Sequence, residues 1–204
     1  MQNNIKGKRF DLITGIFLLI LIITLGCDYL LYNGEKIHRI ILTICTVLVI
    51  YFIFNKTFIK KSKFTYYCII AFVFSSMYVG NILEIYKGIP FYDKVLHLIS
   101  GILIGFIGFI IFIDFNKDNM KNINKGFVLI FIMSFSIALA GIWEIWEFTT
   151  DQLFGFNSQN ASLIDTMLDI ICGTIGGIIS LVPVMFYLRN KKNKFVELML
   201  KDIY

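Results

Sequence analysis

Six apolar stretches, each long enough to cross a bilayer, leave this chain little freedom of architecture. They run from Phe10 to Tyr32, Ile40 to Ile59, Phe64 to Tyr86, Phe91 to Ile113, Gly126 to Phe148 and Leu163 to Leu188. A helix needs about 20 residues to traverse ~30 Å of hydrocarbon, and the short connections leave no room for a soluble domain. Of the 204 residues, 57% are hydrophobic, more than a water-soluble fold of this size can bury. Long isoleucine, leucine and phenylalanine runs exclude a β-barrel, whose strands alternate in polarity. The expected fold is all-α: a polytopic integral membrane bundle of six transmembrane helices, forming a single transmembrane domain over residues 1–204. The expected location is a bacterial cytoplasmic membrane, crossed six times, with membrane lipids as partners.

The formal net charge of +5 is not a nucleic-acid signal, because the basic residues follow topology. Lys6, Lys8 and Arg9 precede the first span; Lys56, Lys60, Lys61 and Lys63 fill the second loop; Lys117, Lys121 and Lys125 the fourth; and Arg189, Lys191, Lys192 and Lys194 the tail. The first loop has Lys36 and Arg39, the third only Lys87, and the fifth none. The positive-inside rule therefore puts both termini in the cytoplasm. Cys27, Cys45, Cys68 and Cys172 all fall within apolar runs and read as small buried hydrophobes without a disulfide framework. Lys6 to Arg9 followed by an apolar run and Gly26-Cys27 has the outline of a lipoprotein signal, but Thr24 and Leu25 break it, and the segment reads as a retained first span.

Against this apolar background the acidic residues of the last third stand out. Between Gly126 and Leu188 there is no lysine or arginine, yet Glu144, Glu147, Asp151, Asp165 and Asp169 lie there, preceded by Asp93 and His97. Ionisable groups in a span are expensive and mark sites or pathways. Threading from a cytoplasmic start brings Asp93 and His97 at the opening of span four, Glu144 and Glu147 in the last turns of span five, and Asp165 and Asp169 in the first turns of span six to one level, the outer leaflet. Asp93 and His97, and Asp165 and Asp169, are i,i+4 pairs; Glu144, Glu147 and Asp151 form an i,i+3,i+7 stripe. Each stripe continues in small residues: Gly101, Gly105 and Gly108; Ser136, Ala140 and Gly141, interrupted by Ile137; Gly173, Gly176 and Gly177. Small faces are where membrane helices approach closely, so the acidic faces point into the bundle, and residues 91–188 carry the site. Ser76, Gly80 and Glu84 repeat at i,i+4,i+8 and place span three as a further contributor.

Five carboxylates and an imidazole cannot all stay charged in a low-dielectric pocket without a divalent cation, basic side chains or protons. Helical bundles build carboxylate-rich metal sites from such pairs. The candidate ligands are Asp93, His97, Glu144, Glu147, Asp165 and Asp169, an oxygen-rich set suited to magnesium, manganese, calcium or zinc. A cation there would activate water for attack on a phosphoester or glycosidic bond of a lipid-linked substrate. Glu84, Lys94 and Asp151 are secondary candidates. Lys94 reads equally as a side chain snorkelling outward or as an internal counter-ion, while Asp28, Glu84 and Asp151 also read as solvated ends. His38 reads as a solvated loop residue. Trp143 and Trp146 fit an aromatic interface belt. Phe154 to Asn160 reads as a turn or small lid. The competing account of the six core residues is a structural hydrogen-bonded network.

The order Asp93-Lys94-Val95-Leu96-His97, then Trp143-Glu144-Ile145-Trp146-Glu147-Phe148, then Asp165-Thr166-Met167-Leu168-Asp169 followed by glycines resembles the YjdF-like family of bacterial membrane proteins. It is also similar in order to VanZ-like proteins, over Phe91 to Ser180; the first three spans match only in hydrophobicity. The VanZ resemblance implies a role in tolerance of the glycopeptide teicoplanin, while the YjdF resemblance implies no assigned chemistry. Glu147 stands where VanZ-like proteins often have glutamine, and Asp169 where they often have asparagine, which makes this site more acidic. Three functions compete: an outer-leaflet, metal-assisted hydrolase or transferase acting on an envelope lipid or lipid-linked precursor, a cation- or proton-coupled transporter, and a non-catalytic envelope factor. Clustering of the carboxylates at one side, with no polar path continuing inward, speaks against transport.

Overall fold

The computed structural model describes residues 2–57, 62–117, 123–191 and 193–200, with side chains from residue 12 onward. Expectations about Ile59, Lys60, Lys61, Lys121 and Lys192, and about the side chains of Lys6, Lys8, Arg9 and Phe10, lie outside the described residues. Every regular element among them is helical: α1 (Gln2–Leu31), α2 (Ile37–Lys56), α3 (Lys63–Val73) running on as a π-helical segment (Phe74–Ile82), α4 (Ile85–Gly88), α5 (Tyr92–Asn116), α6 (Lys125–Phe154), α7 (Leu163–Leu188) and α8 (Lys194–Leu200). Six stretches are long and apolar enough to span a membrane: Leu12–Leu31, Ile37–Lys56, Lys63–Ile82, Tyr92–Asn116, Lys125–Phe154 and Leu163–Leu188. The chain divides into two compact units, Met1–Pro90 and Phe91–Tyr204.

In the first unit, helical periodicity selects the core. Ile40, Val47 and Phe54 recur every second turn of α2, and Tyr66, Ile70, Val73 and Met77 follow the 3.6-residue repeat along α3. Phe17 and Leu21 of α1 join them. The π-helical segment stacks Phe74 on Tyr78, with ring centroids 5.2 Å apart, and Phe17 meets both rings edge-on. Two polar ties cross this core: Thr14 with Tyr66, and Thr24 with Tyr78 at 3.2 Å. Asp28 is a buried cap rather than a solvated end, accepting the backbone N–H of Lys36 at 3.0 Å.

The expected span from Phe64 to Tyr86 stops at Ile82, because Glu84 takes a left-handed conformation (φ 62°) that no helix continues through. The carbonyls freed at that end accept from cations at the start of α2: Nζ of Lys36, the residue before the helix, reaches Ile82 O at 2.9 Å, and an Arg39 guanidinium nitrogen reaches Asn81 O at 3.2 Å. The i,i+4,i+8 reading of Ser76, Gly80 and Glu84 therefore fails, since the wider π turn and the left-handed residue both break a 3.6-residue repeat.

In the second unit, three helices pack along stripes of small residues. Backbones of α5 and α7 touch: a Cβ on Gly101 would fall inside the carbonyl oxygen of Gly173, and one on Gly176 would overlap Leu98 O and lie 2.9 Å from Ile102 N. Gly177 faces Ser136 of α6, whose hydroxyl donates to Gly101 O at 3.2 Å, and Gly173 faces Ala140. Gly141 is the exception to the expected stripe, because nothing lies within 4 Å of its missing side chain. The tail folds back as α8, which the basic sequence of the tail did not announce; Val196, Met199 and Leu200 are buried, and Phe195 meets Phe106 at 4.8 Å. Cys27 and Cys45 are exposed and Cys68 and Cys172 half-buried, all four as free thiols. The buried reading thus fails for the first two, which lie on the outward faces of their helices.

Candidate functional site

The packing stripes lead straight to the acidic residues. Along α6 buried positions recur every four residues at Val128, Ile132, Ser136, Ala140 and Glu144, with Thr150 buried beyond them. Along α7 they are Asp169, Gly173, Gly176, Gly177, Ser180 and Val184, and on α5 His97 stands one turn before Gly101. Burial of Glu144, Asp169 and His97 is thus imposed by the same close approach that holds the bundle together. Their exposures are 4%, 1% and 5%. Asp93 and Asp165 sit in the first turns of α5 and α7, where the helix dipole favours a negative charge. Helix α6 continues to Phe154, so Glu144 and Glu147 lie two to three turns before its end, not in the last turns.

Lys94 is an internal counter-ion. Its ammonium donates to Asp165 at 2.6 Å, Asp169 at 2.8 Å and Asp93 at 3.3 Å, using all three of its N–H donors. Five carboxylates share this single cation among the described residues of the cluster, so the lysine answers only part of the charge.

His97 occupies the middle. Its Nε2 lies 3.6 Å from Asp93 Oδ1, 3.6 Å from Asp169 Oδ1 and 3.9 Å from Glu144 Oε1, too far for hydrogen bonds. Two buried carboxylate oxygens, Glu144 Oε1 and Glu147 Oε2, have no hydrogen-bond partner. Their sister oxygens are served, Glu144 Oε2 by Gln159 Nε2 at 3.2 Å and Glu147 Oε1 by Trp143 Nε1 at 2.9 Å. Each glutamate is therefore held by one oxygen and left open at the other. Asp169 is engaged at both, since Oδ1 and Oδ2 each lie 2.8 Å from the Lys94 ammonium nitrogen. Ligand atoms of Asp93, His97 and Asp169, and of His97, Glu144 and Glu147, lie within 4.8 Å of one another. Around a zinc or calcium ion, neighbouring ligand atoms stand about 3.3–3.7 Å apart. Each group could hold a divalent cation if its ligand atoms closed from as much as 4.8 Å to that spacing.

Asp165 is held differently. One oxygen binds Lys94 and the other accepts from Asn160 Nδ2 at 2.9 Å. Asp151 turns to the connection between α6 and α7, accepting the backbone N–H groups of Ser158 at 2.9 Å and Gln159 at 3.1 Å. Glu84, in the first unit, pairs with Lys87 at 2.7 Å, Arg39 at 3.5 Å and Lys36 at 3.6 Å. His38 is an exposed residue in the first turn of α2, not in a loop.

The sequence suggested an interface belt for Trp143 and a turn or small lid for Gln159 and Asn160; in the structure they donate to Glu147, Glu144 and Asp165. The i,i+4 spacing of Trp143 and Glu147 was a usable signal for the first. Gln159 and Asn160 carried none, because a loop of mixed polar residues does not reveal which amides turn inward. Trp146 is exposed.

No solved structure matches this chain. An uncharacterized protein of Thermotoga maritima is 33% identical over 106 residues, which is 51% of this chain, and the chain spans about half the length of that relative, 53%. The family described as “Predicted membrane protein (DUF2238)” matches residues 11–190, from the first span to the end of the sixth. Six membrane-length helices and a match over nearly the whole chain agree: the protein belongs to the DUF2238 family of membrane proteins.

Proposed function

We propose that the cluster binds a divalent cation, with His97, Glu144 and Glu147 as its primary ligands and Asp93, Asp169 and Asp165 completing the negative surroundings. The observation that carries this reading is the pair of buried, unpartnered oxygens Glu144 Oε1 and Glu147 Oε2, whose carboxylates and the His97 imidazole bring ligand atoms within 4.8 Å of one another. A structural network would use its oxygens in hydrogen bonds, since leaving a buried acceptor unmatched costs about 1–3 kcal/mol. A bound ion supplies Lewis acidity for hydrolysis or group transfer on a cell-envelope lipid or lipid-linked substrate. The chain's own part is to fix both glutamates through Trp143 and Gln159, and to exclude water by the close packing of α5 and α7. Basic loops support both termini in the cytoplasm of a bacterial cell, one transmembrane domain and a site opening at the outer leaflet. Cysteines at Gly34 and Ser158 should then react with an impermeant thiol reagent from outside intact cells, and cysteines at Lys61 and Asn122 should not; labelling at Asn122 would invert the placement.

The backbone contact between Gly101, Gly173 and Gly176 disfavours a cation- or proton-coupled transporter, because it leaves no room for an ion between these helices beyond the site. The full engagement of Lys94 favours, as second reading, a static binding factor of the VanZ-like kind, akin to the YjdF-like proteins that the motif order resembles. Metal analysis of detergent-purified protein tests cation binding, with about one ion per chain expected before chelation and none after. Product analysis of envelope lipids incubated with the protein then separates the two readings: turnover abolished by chelation and by Glu144→Gln supports the enzyme, and absence of turnover by metal-loaded protein supports the binding factor.

A further inference from the structure

We propose that Lys94 is the fixed cation of a two-cation frame: its ammonium fills an all-oxygen pocket formed by Asp93, Asp165 and Asp169, and thereby limits the cluster to one exchangeable divalent ion. This rests on the reading of the cluster as a cation site. Two helices supply the pocket, Asp93 from α5 and Asp165 and Asp169 from α7, and all three carboxylates lie within 3.3 Å of one nitrogen.

A second observation separates this pocket from an ordinary ion-pair network. Both oxygens of Asp169, a side chain that is 1% exposed, lie 2.8 Å from the ammonium nitrogen, so four carboxylate oxygens surround one cation. An ammonium has only three directed donors, and those point to Asp93 Oδ2, Asp165 Oδ1 and Asp169 Oδ2. A metal ion binds by distance and coordination number, so the same pocket offers it all four oxygens as ligands. With no nitrogen or sulfur donor, the pocket suits a hard ion such as calcium, whose ligands stand at about 2.3–2.6 Å; the Asp165 and Asp169 oxygens need close in by a few tenths of an ångström, and the Asp93 oxygen, now at 3.3 Å, by more. His97, Glu144 and Glu147 make the other half of the frame and receive nothing from Lys94 among the described contacts. Because its donors are all committed, Lys94 is not an anchor for an anionic substrate.

The test is equilibrium dialysis of the detergent-solubilised full chain against radioactive calcium. Lys94→Met should bind one more calcium per chain than the parent, and Lys94→Arg, which keeps the charge, should show no gain. Removing the ammonium leaves three carboxylates facing one another, so the double variant Lys94→Met/Asp165→Asn is measured beside it. Its site has the parent's net charge, and an asparagine carbonyl still ligates calcium; it should show the same gain at higher calcium concentration. Extra calcium in either folded variant supports the frame, and no gain in both overturns it. Should the parent bind no divalent ion, the proposed function fails by itself, while the difference between variant and parent still decides the role of Lys94.

Discussion

Each unit of the molecule holds a charged cluster, and the two are built in opposite ways. In the first, one carboxylate, Glu84, faces three basic side chains, Lys36, Arg39 and Lys87. In the second, one basic side chain, Lys94, faces three carboxylates, with Glu144 and Glu147 nearby. The Glu84 cluster is partly exposed, and its cations also serve the carbonyls at the end of the π-helical segment. It is a structural closure with basic side chains in excess. The Lys94 cluster is buried by glycine packing and keeps two carboxylate oxygens open, Glu144 Oε1 and Glu147 Oε2. The difference is one of balance: cations outnumber the carboxylate in the first, while carboxylates outnumber the cation in the second, where each glutamate is held by one oxygen and leaves the other free.

If packing is what buries the second cluster, substitutions on the glycine faces should have the largest effect. Gly176→Leu places a side chain against the backbone of α5, and should cost at least about 3 kcal/mol, the upper range for overpacking, lowering the melting temperature in detergent by about 6–12 °C. Gly141→Ala, with open space, and Ile178→Leu, on an exposed position of α7, should leave it nearly unchanged. Equal stability of Gly176→Leu and Gly141→Ala would mean that α5 and α7 do not meet where the structure puts them.

Much of this was legible in the sequence because the membrane imposes simple rules. Six spans, the i,i+4 pairing of Asp93 with His97 and of Asp165 with Asp169, and the small-residue faces all follow from helical spacing and the cost of burying charge. The partnership of Lys94 was not legible, because a lysine near a helix start snorkels outward or turns inward with equal local propriety, and only the position of α7 decides. Glu84 was misplaced for a different reason: apolar composition runs on through Leu83, and nothing in it announces a π turn or a left-handed residue. Helix α8 was hidden by its basic flanks.

A middle-sized effect belongs to Trp143. Trp143→Phe keeps the ring but removes the donor to Glu147 Oε1, leaving both oxygens of that carboxylate unmatched, and should destabilise the cation-free protein by about 1–3 kcal/mol. A divalent ion should recover part of that loss. Destabilisation of the same size with and without cation would show that Glu147 is no ligand.

The smallest effect belongs to the first cluster. The hydrogen bond from Lys87 holds the Glu84 carboxyl below the ordinary glutamate range, burial opposes this, and the charges of Lys36, Lys87 and Arg39 add to the lowering. A depressed folded-state pKa contributes stability that is fully present above the unfolded value, about 4.3, and is lost as pH falls through the folded one. Glu84→Gln should therefore lower the melting temperature slightly at pH 7 and not at all at strongly acidic pH. Because the group is partly exposed, salt should shrink the difference. A difference that persists unchanged into acid would mean that the carboxylate charge is not what Glu84 contributes.

The central claim is that the second cluster is open for a cation, and thermal unfolding in detergent with and without divalent ions tests it directly. The parent should be stabilised by one of magnesium, manganese, calcium or zinc, by about 2.7 kcal/mol when the free ion is a hundredfold above its dissociation constant. His97→Ala, Glu144→Gln, Glu147→Gln and Asp169→Asn should each remove most of that shift, Asp165→Asn should weaken it, and Glu84→Gln should leave it intact. Without added ion, Glu144→Gln and Glu147→Gln should be as stable as the parent or more so, since one repelling charge has gone, whereas Asp165→Asn and Asp169→Asn also weaken the pairing with Lys94. The contradicting result is a parent indifferent to every divalent ion, together with Glu144→Gln and Glu147→Gln variants that both destabilise it.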